Sequence, residues 1–365
     1  MSGEILHLFN WDRKFTPPFR DLIWEHFREG PRHRFIVYGD VDRRFLAESD
    51  DTVVYGSVLQ NAGGILRAMN RAEKVILHNL FNNHLLYLLS LQPWLLGKCC
   101  WVLWGGDLYI HQATVKNWRW KKDELFRKFV FSRLGLITTT VPGDYRLAQN
   151  WYGAKGKFVH NLMYPSHLFR QSVPVDPVRR APIQIHVGNS ADPSNHHKEI
   201  IDKLASLDQQ EFIVYVPLSY GQPSYRDEII AYGRQKLGKR FVPMTEFMAS
   251  REYDRYMDGI DIAIFNHRRQ QGMGNTIALL GMGKTVWLRS DVTPWDYFTS
   301  IGLKLYDAAG TLSLGMLSAE QSLRNRETCR QHFTKAALLK AWGTIFNNSF
   351  DSLPRLESSN NEHSG

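Results

Sequence analysis

The loop at residues 266–274 holds the side chains best suited to bind an anion. It follows an apolar run at 262–265 that is typical of a buried strand. Asn275 is a preferred N-cap residue, so a helix is expected to begin there, and a second strand is expected at 285–288. Ligands of open α/β sheets bind at the carboxyl ends of strands, and helix N-terminal N–H groups favour anions. We therefore interpret the loop as a diphosphate site.

Two adjacent arginines supply charge to this loop, and its glycines let the backbone approach a ligand closely. The residues assigned to the site are Arg268, Arg269, Gln270, Gln271, Gly272, Gly274, Asn275 and Thr276. Arg269 is also the candidate for stabilising charge on a leaving diphosphate. A solvated basic loop is the alternative. The nearby Gly-Lys-Thr at 283–285 does not complete a P-loop, because Ala278 stands where a glycine is required.

A second loop, rich in small polar residues, follows the predicted strand 183–187. Gly188, Asn189, Ser190 and Asn195 are expected to contact a phosphate or a sugar in this loop. The alternative is an ordinary strand-to-helix turn, because the same residue types are common in turns and N-caps.

A carboxylate follows the apolar run near residue 101. Asp107 comes after two glycines and is expected at the carboxyl edge of a sheet, facing a cleft. There it would accept a proton from an attacking hydroxyl or orient a sugar. The alternative is that Asp107 caps the next turn. His7, His78 and His111 also lie near predicted strand ends, and each is either a base or a structural donor.

The segment 116–133 is basic and aromatic, with seven Lys or Arg residues and two acidic residues. Residues 113–175 as a whole hold 11 basic and three acidic residues, so this part of the chain should meet an anionic partner. The residues assigned to a membrane- and acceptor-facing surface are Trp118, Arg119, Trp120, Lys121, Lys122, Arg127 and Lys128. Tryptophan with lysine and arginine suits a lipid headgroup zone. Nucleic acid and plain solvent are the alternatives.

Strands alternate with helical stretches, which indicates parallel sheets, and 365 residues suffice for two domains. We predict a domain at 1–172 that carries the basic surface, a proline-rich linker at 173–182, and a domain at 183–350 that carries the diphosphate site. One long helix is predicted at about 319–347, and the tail 351–365 is predicted to be disordered. Two doubly wound domains would enclose a cleft for a nucleotide ligand.

Several function classes are disfavoured by the motifs. No Asp-x-Asp follows a predicted strand, and no His, Cys and acid cluster has metal-ligand spacing, so no metal is expected. The three cysteines make no disulfide framework. The N-terminus does not resemble a secretory signal, which favours the cytoplasm. A dinucleotide fingerprint is missing after the first predicted strand, which argues against a sugar-nucleotide epimerase or dehydrogenase.

Four motifs together resemble glycosyltransferase family 56. They are WGGDLY at 104–109, VGNSADPSNHH at 187–197, YVPLSYG at 215–221 and RQQGMGN at 269–275. The family contains the TDP-4-acetamido-4,6-dideoxygalactose (Fuc4NAc):lipid II transferases of enterobacterial common antigen synthesis.

This resemblance implies a GT-B-like pair of Rossmann-type domains in a peripheral enzyme on the cytoplasmic face of the inner membrane. It implies a TDP-sugar donor and an undecaprenyl-diphosphate-linked saccharide acceptor. We expect no cofactor and no nucleic-acid partner. By matching position, the loops at 188–195 and 269–274 would bind the donor, and Asp107 would serve the acceptor. A non-catalytic protein that binds nucleic acid or membrane through the basic surface is the rival hypothesis.

Overall fold

The computed structural model describes residues 3–113, 115–170, 181–207 and 211–354. The chain forms two compact units, one of Met1–Ser166 with Lys335–Gly365 and one of His167–Thr334. Most of the predicted linker, at 173–180, and most of the predicted tail, at 355–365, lie outside the described residues.

The first unit contains a seven-stranded parallel sheet. Its strands are β1 (Glu4–Asn10), β2 (Arg32–Tyr38), β3 (Thr52–Tyr55), β4 (Lys74–His78), β5 (Cys99–Val102), β6 (Leu136–Thr139) and β7 (Lys157–His160). Its helices are α1 (Thr16–His26), α2 (Ala62–Arg71), α3 (Asn83–Ser90), α4 (Gly106–Tyr109), α5 (Trp118–Phe131) and α6 (Pro142–Tyr152). β4, β5 and β6 are buried along their whole length, because helices cover both faces of a doubly wound sheet.

The second unit contains a six-stranded parallel sheet. Its strands are β8 (Ile183–Val187), β9 (Phe212–Pro217), β10 (Phe241–Met244), β11 (Ile262–Phe265), β12 (Thr285–Leu288) and β13 (Tyr306–Asp307). Its helices are α7 (His197–Ala205), α8 (Pro223–Leu237), α9 (Ser250–Asp258), α10 (Met273–Gly281), α11 (Thr293–Ser300) and α12 (Ala319–His332). A hydrophobic core built on Ile185, Val214 and Ile264 holds this sheet to its helices.

Each sheet has one point where the strand order reverses. The first sheet has the order β3-β2-β1-β4-β5-β6-β7, so its switch point lies between β1 and β4. The second has the order β10-β9-β8-β11-β12-β13, so its switch point lies between β8 and β11. The loops that leave two such strands diverge to opposite faces and open a crevice, which is where doubly wound proteins bind ligands.

The last helix belongs to the first unit, so the predicted domain end at residue 350 is wrong. The predicted long helix is two helices, α12 and α13 (Lys335–Asn347), and the chain crosses between the units where they meet. Trp342 Nε1 donates to the carbonyl of Met163 at 3.0 Å, and Lys74 Nζ donates to the carbonyl of Ile345 at 3.2 Å. These contacts and the burial of Trp342 hold α13 on the first unit.

The start of the predicted disordered tail is ordered. Residues Phe350–Ser352 form a short 3-10 turn, and the Leu353 side chain is buried. The backbone N–H of Phe158, on edge strand β7, donates to the carbonyl of Pro354 at 3.4 Å. The apolar Phe350 and Leu353 explain the difference, because they extend the hydrophobic pattern past the predicted boundary.

Candidate functional site

Two of the predicted site loops meet at the switch point of the second sheet. Ser194 Oγ, after β8, donates to Gln271 Oε1 at 2.8 Å. Gln271 Nε2, after β11, donates to Asn189 Oδ1 at 2.9 Å, and Arg269 Nη2 donates to Ser194 Oγ at 3.3 Å. The side chains of these two sequence motifs therefore form one hydrogen-bonded cluster.

A third loop, after β9, joins the same cluster. The backbone N–H of Ala191 donates to the carbonyl of Tyr220 at 2.8 Å, and that of Gln222 donates to the carbonyl of Ala191 at 2.8 Å. Asn189 Nδ2 also lies 3.5 Å from the hydroxyl of Tyr220. The carboxyl ends of three adjacent strands thus contribute to one site, as the strand order requires.

Asn195 shapes the loop after β8 from within. Its Oδ1 accepts the N–H of Asn189 at 3.1 Å, and its Nδ2 donates to the carbonyls of Ser190 and Asp192, each at 3.1 Å. The side chain is only 1% exposed. Its predicted role in contacting the ligand is therefore wrong: the amide holds the loop in shape. Ser190 is bonded by Asn195 within the loop, whereas Asn189 and Ser194 supply polar contacts to the rest of the cluster.

Both the backbone conformation at position 188 and the side chain packed against it require a glycine there. Its φ is 73°, in the region that favours glycine. A Cβ there would lie 2.3 Å from Nε2 of the buried His197. The glycine therefore sets the turn on which Asn189 is carried.

The helix after the arginine-bearing loop begins earlier than predicted. α10 starts at Met273, with Gly272 at the N-cap in a left-handed conformation of φ 64°. The predicted N-cap, Asn275, lies inside the first turn, near Tyr253. A glycine can turn the chain into the helix without a side-chain cap, and none is made by the described residues. Thr276 is buried, and its hydroxyl donates to the carbonyl of Gly272 at 3.1 Å.

The two arginines of this loop point to different partners. Arg269 lies over the loop after β8, with its side chain 23% exposed and Nη2 3.9 Å from the Asp192 carboxylate. Arg268 is 57% exposed and lies 3.3 Å from the Glu199 carboxylate. Gln270 is buried beneath the loop. The structure therefore brings Arg269 to the centre of the cluster and leaves Arg268 on its rim.

A polar network beside the cluster was missed by the sequence analysis. Asn266 Nδ2 donates to Glu199 Oε2 at 2.8 Å, and Arg289 Nη1 donates to Asn266 Oδ1 at 3.2 Å. Burial opposes ionisation of Glu199, but the Asn266 hydrogen bond and the nearby His196, Arg268 and Arg289 lower its pKa overall. The available signal was position: Asn266 and Arg289 are the first residues after β11 and β12.

Asp107 does not face a cleft. It is fully buried and accepts hydrogen bonds from Leu80 N (3.0 Å), Trp101 Nε1 (2.7 Å) and Trp104 N (3.1 Å). Burial raises the pKa of its carboxyl to about 6, although these donors oppose the shift. Gly105, with φ 91°, folds the chain back and carries Asp107 inside the turn. The predicted acceptor-facing position is wrong, and the turn-capping alternative fits.

Three histidines form a buried chain in the first unit. His7 Nδ1 lies 3.1 Å from His78 Nε2, and His7 Nε2 lies 2.9 Å from His33 Nδ1. His78 Nδ1 lies 2.8 Å from the Tyr164 hydroxyl. Burial lowers the pKa of His7 and His78 well below the usual value and that of His33 to about 4. Neutral imidazoles that alternate as donor and acceptor fit this chain, which supports the structural role for His7 and His78. His111 pairs with Glu124 instead.

One member of the predicted basic surface is internal. Arg127 is 3% exposed, donates to Asn83 Oδ1 at 2.8 Å and pairs with Glu124 at 3.3 Å. It lies on the inner side of α5, where helical periodicity carries it toward α3, so its predicted surface role is wrong. Trp120 is half-buried, and its Nε1 donates to the carbonyl of Ile110 at 3.0 Å.

The remaining members lie on the outside of α5. Trp118 is 69% exposed and Leu125 is 72% exposed, and their spacing of seven residues places them on one helix face. The exposed basic residues of α5 are Arg119, Lys121, Lys122 and Lys128. Within the described part of the chain, no helix is long and apolar enough to cross a membrane. No group of three or more His, Cys, Asp or Glu residues among these described positions has the arrangement of a metal site.

Comparison with protein families decides what kind of protein carries these features. The model of the family described as "4-alpha-L-fucosyltransferase glycosyl transferase group 56" matches residues 19–346. The chain belongs to glycosyltransferase family 56. The resemblance seen in the motifs is thereby confirmed over nearly the whole chain, and this family 56 protein is a glycosyltransferase that uses a nucleotide sugar.

Solved structures place the family 56 chain in the GT-B-like fold class. A glycosyltransferase from Rickettsia africae superposes with a TM-score of 0.65 at 12% identity, covering 96% of this chain and 99% of that one. The lipopolysaccharide outer core galactosyltransferase WaaB gives 0.60 at 9% identity, covering 94% and 99%. An Anabaena protein, HepE, solved with UDP and glucose, gives 0.61 at 12% identity, covering 96% and 94%. At these identities the likeness concerns the fold alone, and the predicted α/β class is confirmed.

Proposed function

We propose that this family 56 enzyme transfers a deoxy-acetamido sugar similar to Fuc4NAc from a TDP-sugar to an undecaprenyl-diphosphate-linked saccharide. It would act at the cytoplasmic face of the inner membrane, in the synthesis of enterobacterial common antigen or a related surface polysaccharide. The observation that carries the proposal is the three-loop cluster at the switch point of the second sheet. There Arg269 and the N-terminus of α10 lie with Asn189 and Ser194 at the carboxyl ends of β8, β9 and β11.

The proposed chemistry follows from the charge of that cluster. When the sugar leaves, negative charge develops on the diphosphate, and groups already aimed at that position lower the barrier. Arg269 supplies a guanidinium with two or more donors, and the first-turn N–H groups of α10 supply a partial positive charge. These groups take the part that a divalent metal plays in other enzymes, so the proposed mechanism uses no metal ion. The crevice between β8 and β11 would receive the diphosphate of the nucleotide.

Replacing Arg269 with alanine tests this assignment. We expect kcat/KM for the TDP-sugar to fall by about 10²-fold, because the arginine's charge matters most in the transition state. The Kd for TDP should rise about tenfold, equivalent to about 1.4 kcal/mol. Steady-state kinetics and isothermal titration calorimetry with the full-length chain measure both quantities.

The matched control for this test is Arg234→Ala. Arg234 is an exposed arginine at the C-terminal end of α8, on the amino-terminal side of the same sheet. It should keep wild-type kinetics and TDP affinity. If Arg269→Ala behaves like this control, the diphosphate does not bind where we place it. If the wild-type chain itself binds no TDP, the proposed donor is wrong.

The acceptor's lipid carrier would bring the enzyme to a membrane through the outer face of α5. Trp118 and Leu125 lie there between Lys121, Lys122 and Lys128, an arrangement that suits the headgroup region of an anionic leaflet. Each basic residue near such a surface contributes about 1 kcal/mol. The face therefore supplies both apolar insertion and electrostatic attraction, which together give reversible attachment.

Charge reversal on this face is expected to release the protein from membranes. A Lys121→Glu/Lys122→Glu double variant should lose at least tenfold in binding to vesicles of 70% phosphatidylcholine and 30% phosphatidylglycerol, because two attractive charges become repulsive. Vesicle co-sedimentation at about 0.1 M salt measures this. The control is Arg234→Glu/Lys239→Glu, which makes the same change of charge on the second unit. Equal loss in both variants would mean that net charge, and not the α5 face, governs binding.

A further inference from the structure

The switch point of the first sheet, where the strand order leads one to expect a crevice, is used by no role above. The loop at 11–15 follows β1, and the loop at 79–82 follows β4, the strands between which the order reverses. By the same topological argument as in the second unit, this is the position in the first sheet where a ligand is expected. Among the polar side chains of these two loops, Asp12 supplies the carboxylate.

The two oxygens of the Asp12 carboxylate differ in their hydrogen bonding. Oδ1 accepts the backbone N–H of Lys14 at 2.7 Å and of Phe15 at 3.2 Å. The backbone N–H of Asp12 itself donates to Thr16 Oγ1 at 3.2 Å, which fixes the start of α1. Among the described residues, none donates to Asp12 Oδ2. The orientation of the free oxygen is thus set by the loop's own backbone.

Burial raises the pKa of the Asp12 carboxyl, although the two N–H donors and the Lys14 charge oppose the shift. The charged or titratable groups around it are Lys14 on the same loop and Tyr164 from the segment after β7. A partly desolvated carboxylate with one free oxygen accepts a proton more readily than one in water. Asp107, whose two oxygens are both occupied, has no such capacity.

Aromatic rings lie beside this carboxylate. The ring of Phe15 lies 4.6 Å from that of Trp104, at the end of β5, and the ring of Phe81 lies 6.3 Å from Trp104. Trp104 Nε1 donates to the hydroxyl of Tyr164 at 2.9 Å, which fixes the indole. Phe81 is 38% exposed, and Phe15 and Trp104 are half-buried, so aromatic surface remains open. A carboxylate next to aromatic faces suits a sugar, which has hydroxyl edges and apolar C–H faces.

We propose that this crevice binds the sugar of the acceptor that is to be extended, and that Asp12 is the general base of the transfer. This inference rests on the proposed function. The acceptor hydroxyl oxygen bonds to the anomeric carbon of the donor, while the bond from that carbon to the diphosphate oxygen breaks. TDP leaves with the electron pair of that bond, and the hydroxyl proton passes to Asp12 Oδ2. Phe81 and Trp104 hold the acceptor ring so that its hydroxyl meets that oxygen.

Replacing Asp12 with asparagine separates catalysis from folding. The amide oxygen can still accept the Lys14 and Phe15 N–H groups, but the side chain cannot take a proton. We expect kcat to fall by 10²–10⁴-fold, the usual range for a general base. TDP affinity should stay within twofold, and the thermal midpoint should not fall, because a neutral side chain avoids the burial cost of the charge. The wild-type rise of kcat/KM with pH, as Asp12 loses its proton, should be absent in the variant.

The assays use the full-length chain, the TDP-sugar that the wild type turns over, and a disaccharide linked through a diphosphate to a ten-carbon prenyl chain. Asp21→Asn, an exposed aspartate on α1, is the control for Asp12→Asn and should keep wild-type kcat. If Asp12→Asn keeps kcat within threefold of wild type, or keeps the pH dependence, Asp12 is not the base. If the wild type does not bind TDP, the proposed TDP-sugar donor is wrong. The acceptor-binding test described next does not depend on that result.

Acceptor binding is tested without turnover. Phe81→Ala is expected to weaken binding of the prenyl-diphosphate disaccharide at least fivefold in calorimetry, with TDP binding unchanged. Trp94→Ala removes an aromatic of greater exposure, 67%, just before β5 at the opposite edge of the sheet, and should bind the disaccharide like wild type. If both variants bind the probe equally, the crevice is not the acceptor site.

Discussion

Replacing Asp107 with alanine is expected to lower the free energy of unfolding of the first unit by about 2–4 kcal/mol. The change leaves the N–H donors of Leu80, Trp101 and Trp104 without an acceptor, and the first two are fully buried. Each such orphaned group costs about 1–3 kcal/mol. Part of that loss is offset, because burial already disfavours the charged carboxyl, as its pKa of about 6 indicates. For a unit of this size the midpoint of thermal unfolding should fall by about 5–10 °C.

Asp107→Asn distinguishes this structural role from a catalytic one. The asparagine keeps one acceptor oxygen, so its loss of stability should be about half that of alanine, and TDP binding should be unchanged in both variants. A catalytic base would instead give full stability with no turnover. Differential scanning calorimetry and steady-state turnover measurements separate the two cases.

The pH dependence of the Asp107 contribution has a definite sign. A carboxyl whose folded pKa is raised stabilises the fold below its unfolded pKa, and this contribution is lost as pH rises through about 6. The buried histidines have the opposite sense, because their lowered pKa values cost stability as pH falls. The difference in midpoint between wild type and Asp107→Asn isolates the carboxyl. This difference in midpoint should shift against the wild type from pH 4 to pH 7. A difference that does not change with pH would contradict the conclusion that burial raises the pKa of Asp107.

Replacing Gly188 with alanine is expected to destabilise the second unit by about 2–5 kcal/mol and to weaken TDP binding more than tenfold. A side chain at φ 73° costs about 1–2 kcal/mol. The new Cβ would also lie 2.3 Å from His197 Nε2, and overpacking of this kind costs about 1–3 kcal/mol. His197 cannot move freely, because it is buried and its Nδ1 lies 3.2 Å from the Tyr225 hydroxyl. The loop carrying Asn189 must therefore shift.

Gly302→Ala is the control for the backbone alone. Gly302 lies in the same unit with φ 87°, but a Cβ there would meet no atom within 4 Å. It should cost about 1–2 kcal/mol and leave TDP binding unchanged. Chemical denaturation and calorimetry of both variants measure the comparison. Equal destabilisation by the two substitutions would show that the contact with His197 is unimportant.

The sequence predicted the sheets well because the strands are short apolar runs bounded by turn residues. The strands predicted at 183–187, 262–265 and 285–288 match β8, β11 and β12, whereas β13 carries no pattern, since Tyr306–Asp307 is only two residues long. β7 carries only a weak alternating pattern, because it lies at the sheet edge, where Lys157 and His160 are partly or fully exposed. The assignment of α13 to the first unit could not be read from periodicity, which reports an apolar face and not the surface that covers it.

The sequence predicted which loops lie together at the switch point more reliably than it predicted the surroundings of single residues. The loops after β8 and β11 were found because glycine, asparagine and arginine mark a strand end. Their roles differed once burial was known: Asn195 bonds within its own loop, and Asp107 accepts hydrogen bonds from its own turn and from Leu80. Arg127 shows the same limit, because composition places it in a basic surface whereas the helix phase turns it inward. Partners distant in sequence, such as Arg289 and Glu199, carry no local signal.

The position of α13 has a consequence for synthesis of the chain. Translation delivers the whole of His167–Thr334 before Lys335–Asn347, so the ribosome completes the second unit before the first can close. Until then the groove that receives Trp342 and Phe346 stays open to water, and the ring of Phe346 lies 4.6 Å from His33 in the finished fold. In water, a histidine side chain is protonated in mildly acidic solution. In the closed fold, burial lowers the pKa values of His7, His33 and His78, so these side chains are neutral. Docking of α13 is therefore expected to become less favourable in acid, because the buried histidines must release their protons.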